Sequence, residues 1–134
     1  MGKVAERAVE EVLEIGLKVV GCQYKSWNHE DFIENFQTTN SITFKPEPTN
    51  PHDPNALLVL YKGEPCGYVA KECIEYVNKF RRAYEIVRPH LTDYSTVADV
   101  DIFTFKNGSV KMFDLHILCS VWVPTEVSEV LDNL

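Results

Sequence analysis

Cysteine is sparse in this chain, and its four copies, Cys22, Cys66, Cys73 and Cys119, never fall at metal-ligand spacing. Three of them sit in apolar runs, which points to buried free thiols rather than a disulfide framework or a zinc site. Histidine does not fill the gap, because His29, His52, His90 and His116 contain no pair at helical spacing. Positive charge is short as well. Thirteen Lys and Arg face 20 Asp and Glu, a net charge of −7, which is unsuited to coating nucleic acid through counterion release alone. Long apolar stretches are missing too. Glutamates interrupt the opening MGKVAERAVEEVLEIGLKVV, so no signal peptide or membrane span is expected there. The sixth residue is Glu6 rather than Ser or Thr, so the myristoylation pattern is absent. A cytoplasmic, intracellular protein is expected. There is no P-loop, nucleophile elbow, zinc pattern or closely spaced carboxylate pair with a base. Neither an enzyme nor a cofactor or metal is therefore expected.

What the chain does have is enough apolar residue, 45% of 134, to build one ordinary core, and it is too short for two. A single domain over 1–134 is expected, without repeats or low-complexity linkers. Charge is uneven along it. Residues 1–15 carry −2 and residues 124–134 carry −3, leaving −2 between them. A local basic surface around Lys71, Lys79, Arg81, Arg82 and Arg88 is compatible with that balance.

Val4, Ala5, Ala8, Val9, Val12 and Leu13 recur at three- and four-residue intervals with glutamates between, which predicts a terminal helix over 1–16. Residues 17–24, LKVVGCQY, read as a strand with Gly21 at a bend. DFIENF is a short turn or a single helical segment, and SITFKPEP is a strand that stops at Pro46 and Pro48. ALLVLY, a turn at Lys62-Gly63-Glu64-Pro65 and CGYVA form a hairpin over 56–70. Apolar positions from Ile74 to Val87 predict the main helix, over 71–88, ended by Pro89. STVADVDIFTF and SVKMFDLHILCSVWV, joined across Lys106-Asn107-Gly108, form the strongest hairpin signal. Pro124 then opens a short terminal helix. The whole predicts a mainly β, α+β fold: a small, partly open barrel of the OB type with five to six strands, one main inserted helix and a short helix at each terminus. A ferredoxin-like layer is the competing fold.

The motif-bearing stretch is FKPEPTNPHDPNALLV, preceded by VVGCQY and followed by GYVAKE at the start of a helix. This order resembles the HIRAN domain family, which shows V-x-G then Tyr, a Glu-Pro, N-P-x-D-x-N-A before a strand, and G-Y-hydrophobic before a helix. Residues 19–77 carry the resemblance. It implies an OB-like barrel over 17–123 and a nucleic-acid-binding function: holding single-stranded DNA, at its 3′ end, in DNA repair, replication or phage DNA metabolism. By the same resemblance, Tyr24, His52, Asp53 and Lys71 are the DNA-contacting positions, and Gln23 and Tyr68 beside them are expected to belong to the same nucleic-acid site. The residue chemistry is compatible. A terminal nucleotide needs an acceptor for its hydroxyl, donors for its phosphate and a flat face for its base. Asp53, Lys71 and the rings of Tyr24 and His52 supply these.

Asn50 and Asn55 read instead as loop-shaping residues, with Pro51 and Pro54 presetting the backbone. Gln23 and Pro46 stand where the family favours basic residues, which removes two positive charges. That loss motivates the alternative, a protein-interaction or scaffold domain that keeps the barrel without DNA. Elsewhere, Trp27 and Trp122 read as core or edge packing, and His116 as a satisfied core histidine. Gly21 and Gly67 read as backbone-geometry residues. Lys79, Arg81 and Arg82 read as the solvated face of a helix, with a basic groove as the competing reading.

Overall fold

The computed structural model describes residues 7–36 and 42–134. Strands β1 (Ala8–Val20), β2 (Ile42–Pro46), β3 (Leu57–Tyr61), β4 (Glu64–Val69), β5 (Thr96–Thr104) and β6 (Val110–Pro124) alternate with helices α1 (His29–Asn35), α2 (Ile74–Val87) and α3 (Thr125–Asp132). The strands form one antiparallel sheet in the order β2-β3-β4-β1-β6-β5. It remains open, with α2 inserted between the two hairpins, as expected for a partly open OB-like barrel. None of the described helices is long and apolar enough to cross a membrane.

The expected helix over 1–16 is corrected from Ala8 onward. Those residues belong to β1, which pairs with β6 from Ala8↔Pro124 to Val19↔Phe113; residues 1–6 lie outside the described part. The sequence AVEEVLEIGLKVV satisfies both periods. Read at period two, Val9, Leu13, Ile15, Leu17 and Val19 share the inner face, and the inward Glu11 accepts a hydrogen bond from the Ser128 hydroxyl on α3. Helix propensity is a weak local preference, whereas the long ladder to β6 satisfies every second side chain against the core.

Outward positions explain two further differences. His116 and Trp122 lie on the solvent side of β6, which alternates in burial from Phe113 onward. His116 is exposed and contacts Glu14 across the ladder at 2.6 Å. Trp122 is 64% exposed rather than packed. Apolar neighbours on both sides of a strand residue place it on the opposite face, because side chains alternate. Trp27, by contrast, packs as expected, against Phe32 at 5.3 Å and Tyr61 at 6.2 Å between ring centroids. The four cysteines are free and buried. Burial pushes the Cys22 thiol up to about 12.

Two glycines shape the region that matters for function. Gly21, at φ 74°, follows β1 in the left-handed region and turns the chain into the segment Cys22–Tyr24, of which Cys22 is buried and Gln23 and Tyr24 are exposed. Gly67 lies opposite a bulge in the β3–β4 pairing. A Cβ there would stand 2.8 Å from the Val20 carbonyl oxygen and 2.9 Å from Val19 Cγ1. Gly67→Ala therefore has to push two strands apart, and we expect it to cost about 1–3 kcal/mol in urea denaturation. An unchanged midpoint would show that the sheet yields there without cost.

Candidate nucleic-acid interface

The loop from β2 to β3 holds itself in shape. The Glu47 amide donates to the Ala56 carbonyl at 3.0 Å, and the Ala56 amide donates to the Asp53 carbonyl at 3.1 Å. Asn50 is the hub. Its Oδ1 accepts the amides of His52 and Asp53 at 2.8 and 3.1 Å, and its Nδ2 donates to Glu47 Oε1 at 3.1 Å. Asp53 Oδ1 accepts the Asn55 amide at 2.9 Å. These are the side-chain-to-backbone turns that Asn and Asp favour. Asn50 shapes the loop as read from sequence, whereas Asn55 takes part through its backbone. Asp53 closes the turn with Oδ1, and its Oδ2 makes no hydrogen bond to any described residue.

Tyr68 joins the loop to the sheet. It sits on β4 between Val20 and Leu58, and its hydroxyl donates to Glu47 Oε1 at 2.7 Å. Lys25 Nζ stands 3.4 Å from that hydroxyl and 4.7 Å from the ring centroid, a cation–π arrangement. Hydrogen bonds from Tyr68 and then Asn50 hold the Glu47 carboxyl below its usual range. A group with a depressed folded value contributes its stability above the ordinary carboxylate pKa and loses it as pH falls through the folded value. Tyr68→Phe is therefore expected to cost about 1 kcal/mol near neutral pH. The gap between variant and wild type should shrink below about pH 4 in paired melts; a gap that persists in acid would mean that Glu47 is not the partner that matters.

Asp53 and Lys71 come together. Both line a cavity of about 500 Å³ walled by Pro46, Pro48, Ile74 and Glu75. Lys71 opens the helical turn that leads into α2. The other expected residues, Gln23, Tyr24, His52 and Tyr68, do not line it. Tyr24 is 82% exposed and shares with Gln23 the turn that leads to Lys25. His52 is exposed on the loop, with its backbone held by Asn50. No hydrogen bond or ion pair among the described residues joins the Gln23, Tyr24 or His52 side chains to Asp53 or Lys71. Lys25, Glu47 and Glu75 were not among the expected site residues. The signal for Lys25 was its position beside Tyr24, where it returns a positive charge that Gln23 lacks.

The arrangement has the parts needed to hold a terminal nucleotide: an acceptor at Asp53, a cation at Lys71 and exposed flat rings at Tyr24 and His52. The HIRAN domain family model matches residues 12–126, and the chain belongs to that family. HIRAN domains bind DNA, and the domain is not by itself catalytic. Two solved structures are similar to this chain. One is the crystal structure of the HIRAN domain of human HLTF, at 18% identity and a TM-score of 0.46, covering 92% of this chain and 88% of that one. The other is a crystal structure of a protein from Lactobacillus plantarum, at 14% identity and a TM-score of 0.43, covering 83% of this chain and 99% of that one. No curated protein matches the sequence.

Proposed function

We propose that this protein binds single-stranded DNA and holds its 3′ end between the 47–56 loop and the start of α2, in DNA repair, replication or phage DNA metabolism. The carrying observation is the shared cavity of Asp53 and Lys71. Asp53 Oδ2 accepts the terminal hydroxyl, Lys71 neutralises the adjacent phosphate, and Tyr24 or His52 covers the base. A continuing strand is refused because its next phosphate would replace the hydroxyl donor with an anion facing Asp53. Fluorescence anisotropy with a strand ending in a free 3′-hydroxyl and the same strand ending in a 3′-phosphate tests this. The free end should bind about tenfold more tightly or better. Equal binding removes end recognition and leaves strand binding alone.

A protein-binding role has one observation in its favour. On the outer face of β1, β6 and β5, Val12, Val97 and Trp122 are 53%, 57% and 64% exposed, and they form a more apolar surface than a solvated sheet face needs. A stable oligomer on gel filtration, together with no shift of any oligonucleotide, would favour that reading over DNA.

A further inference from the structure

Beyond the end pocket lies a second, larger cavity of about 810 Å³. Ile42–Phe44 of edge strand β2 border it on one side and Thr96 of edge strand β5 on the other. The two edges of the open sheet therefore curl toward one gap, which α2 spans. The helix presents Arg81, Arg82 and Arg88 to this gap against a single acid, Glu85, a local excess of positive charge in a chain of net charge −7. Aromatic rings lie among the arginines. Phe80 and Tyr84 stack at 6.1 Å and 20°, half-buried, and Phe44 joins them from β2.

The two cavities meet at Asn78, which lines both and accepts a hydrogen bond from Arg81 at 3.0 Å. Lys71, Asn78, Arg81, Arg82 and Arg88 thus follow one side of the helical segment. At 1.5 Å per residue that side is about 25 Å long, the reach of a few nucleotides. Cations along a groove with interleaved aromatic faces suit a single strand, whose phosphates need neutralising and whose bases need surfaces to stack on.

We propose that the strand whose end is held at Asp53 and Lys71 continues along α2 into the gap between β2 and β5, its phosphates on Arg81, Arg82 and Arg88 and its bases on Phe44, Phe80 and Tyr84. This rests on the end-binding reading above and extends it from a terminal nucleotide to a track. It also assigns a role to arginines that otherwise read as a solvated helix face.

The test is anisotropy with single strands of about 3 to about 12 nucleotides, with free and phosphate-blocked 3′ ends, on wild type and on Arg82→Ser/Arg88→Ser. Both residues are exposed, so the variant should fold, and a thermal melt checks it. Wild-type affinity should climb with length and then level off. The variant should match wild type on the shortest strand and bind the longest about 10- to 30-fold more weakly at about 0.1 M salt, with a salt slope shallower by about 1.4. A variant that keeps the full length dependence and slope overturns the track. Equal binding of free and blocked long strands that still depends on the two arginines overturns the end pocket and leaves the track standing. Absence of binding to any strand by wild type overturns both.

Discussion

Asp53→Asn is expected to fold normally and to lose discrimination between a free 3′-hydroxyl and a blocked end, a change of about 10- to 100-fold in the ratio of the two affinities. The choice of asparagine follows from the double duty of Asp53. Its Oδ1 accepts the Asn55 amide, and an asparagine carbonyl can do the same, so the turn survives. The second position then carries an NH₂ group, which donates only and cannot accept from a hydroxyl. The charge that disfavours a following phosphate disappears in the same substitution, so blocked ends should bind better while free ends bind worse. Asp53→Ala would remove the turn and the acceptor together and could not separate them. Full retention of free-end preference in Asp53→Asn, with an unchanged melt, would place the hydroxyl elsewhere.

Phe32→Ala is expected to lose about 3–5 kcal/mol and to leave little folded protein at 37 °C. Phe32 is fully buried at the centre of an aromatic cluster, with ring centroids of Phe113, Phe36, Tyr61 and Trp27 at 4.7, 5.1, 5.1 and 5.3 Å. It is the residue through which the short helix α1 enters the core. A helix of seven residues cannot persist alone, so its order depends on this anchor. Asp31 beside it accepts hydrogen bonds from Tyr61 at 2.7 Å and Lys62 at 2.8 Å, which tie α1 to the β3–β4 turn. Truncation at Phe32 removes ring contacts and leaves a cavity that four neighbouring rings cannot all collapse to fill. A loss below about 1 kcal/mol in urea denaturation would mean that the cluster repacks.

The hairpins and main helix were legible because local chemistry and tertiary demand agree there. Asn107 and Gly108 close the β5–β6 connection as their side chains dictate: Gly108 takes φ 87° and Asn107 Oδ1 accepts the Ser109 amide at 2.9 Å. Pro89 lies just beyond α2. The first strand was not legible, since AVEEVLEIGLKVV fits a helical stripe as well as an alternating one. What decides it is β6, some hundred positions away in the chain, and a local window contains no information about that partner. His116 and Trp122 are a different case: the apolar neighbours that suggested burial are, by alternation along β6, what turns these two outward.

The loop chemistry was legible at Asn50, and Asp53 and Lys71, both singled out from the sequence, line one cavity. The sequence offered Asp53 as a turn-closing acceptor, which it is; it was not legible that Lys25 and Glu47 meet at Tyr68, or that Asn78 lines two cavities. Both depend on residues distant in the chain that meet only once the strands and α2 are in place. The two positive charges missing at Gln23 and Pro46 also look different in space. Lys25 stands at the Tyr68 ring, and the arginines of α2 line the adjoining gap.

The most direct measurement of where a strand sits is a backbone amide chemical-shift titration of the labelled protein with a short single strand bearing a free 3′-hydroxyl. The largest shifts should fall at Asp53, Asn55, Ala56, Tyr68 and Lys71, followed by the exposed side of α2, with Val97, His116 and Trp122 unmoved. Shifts concentrated on that outer face of the sheet, or none at saturating strand, would contradict the assignment of the loop–helix cavity as the DNA site.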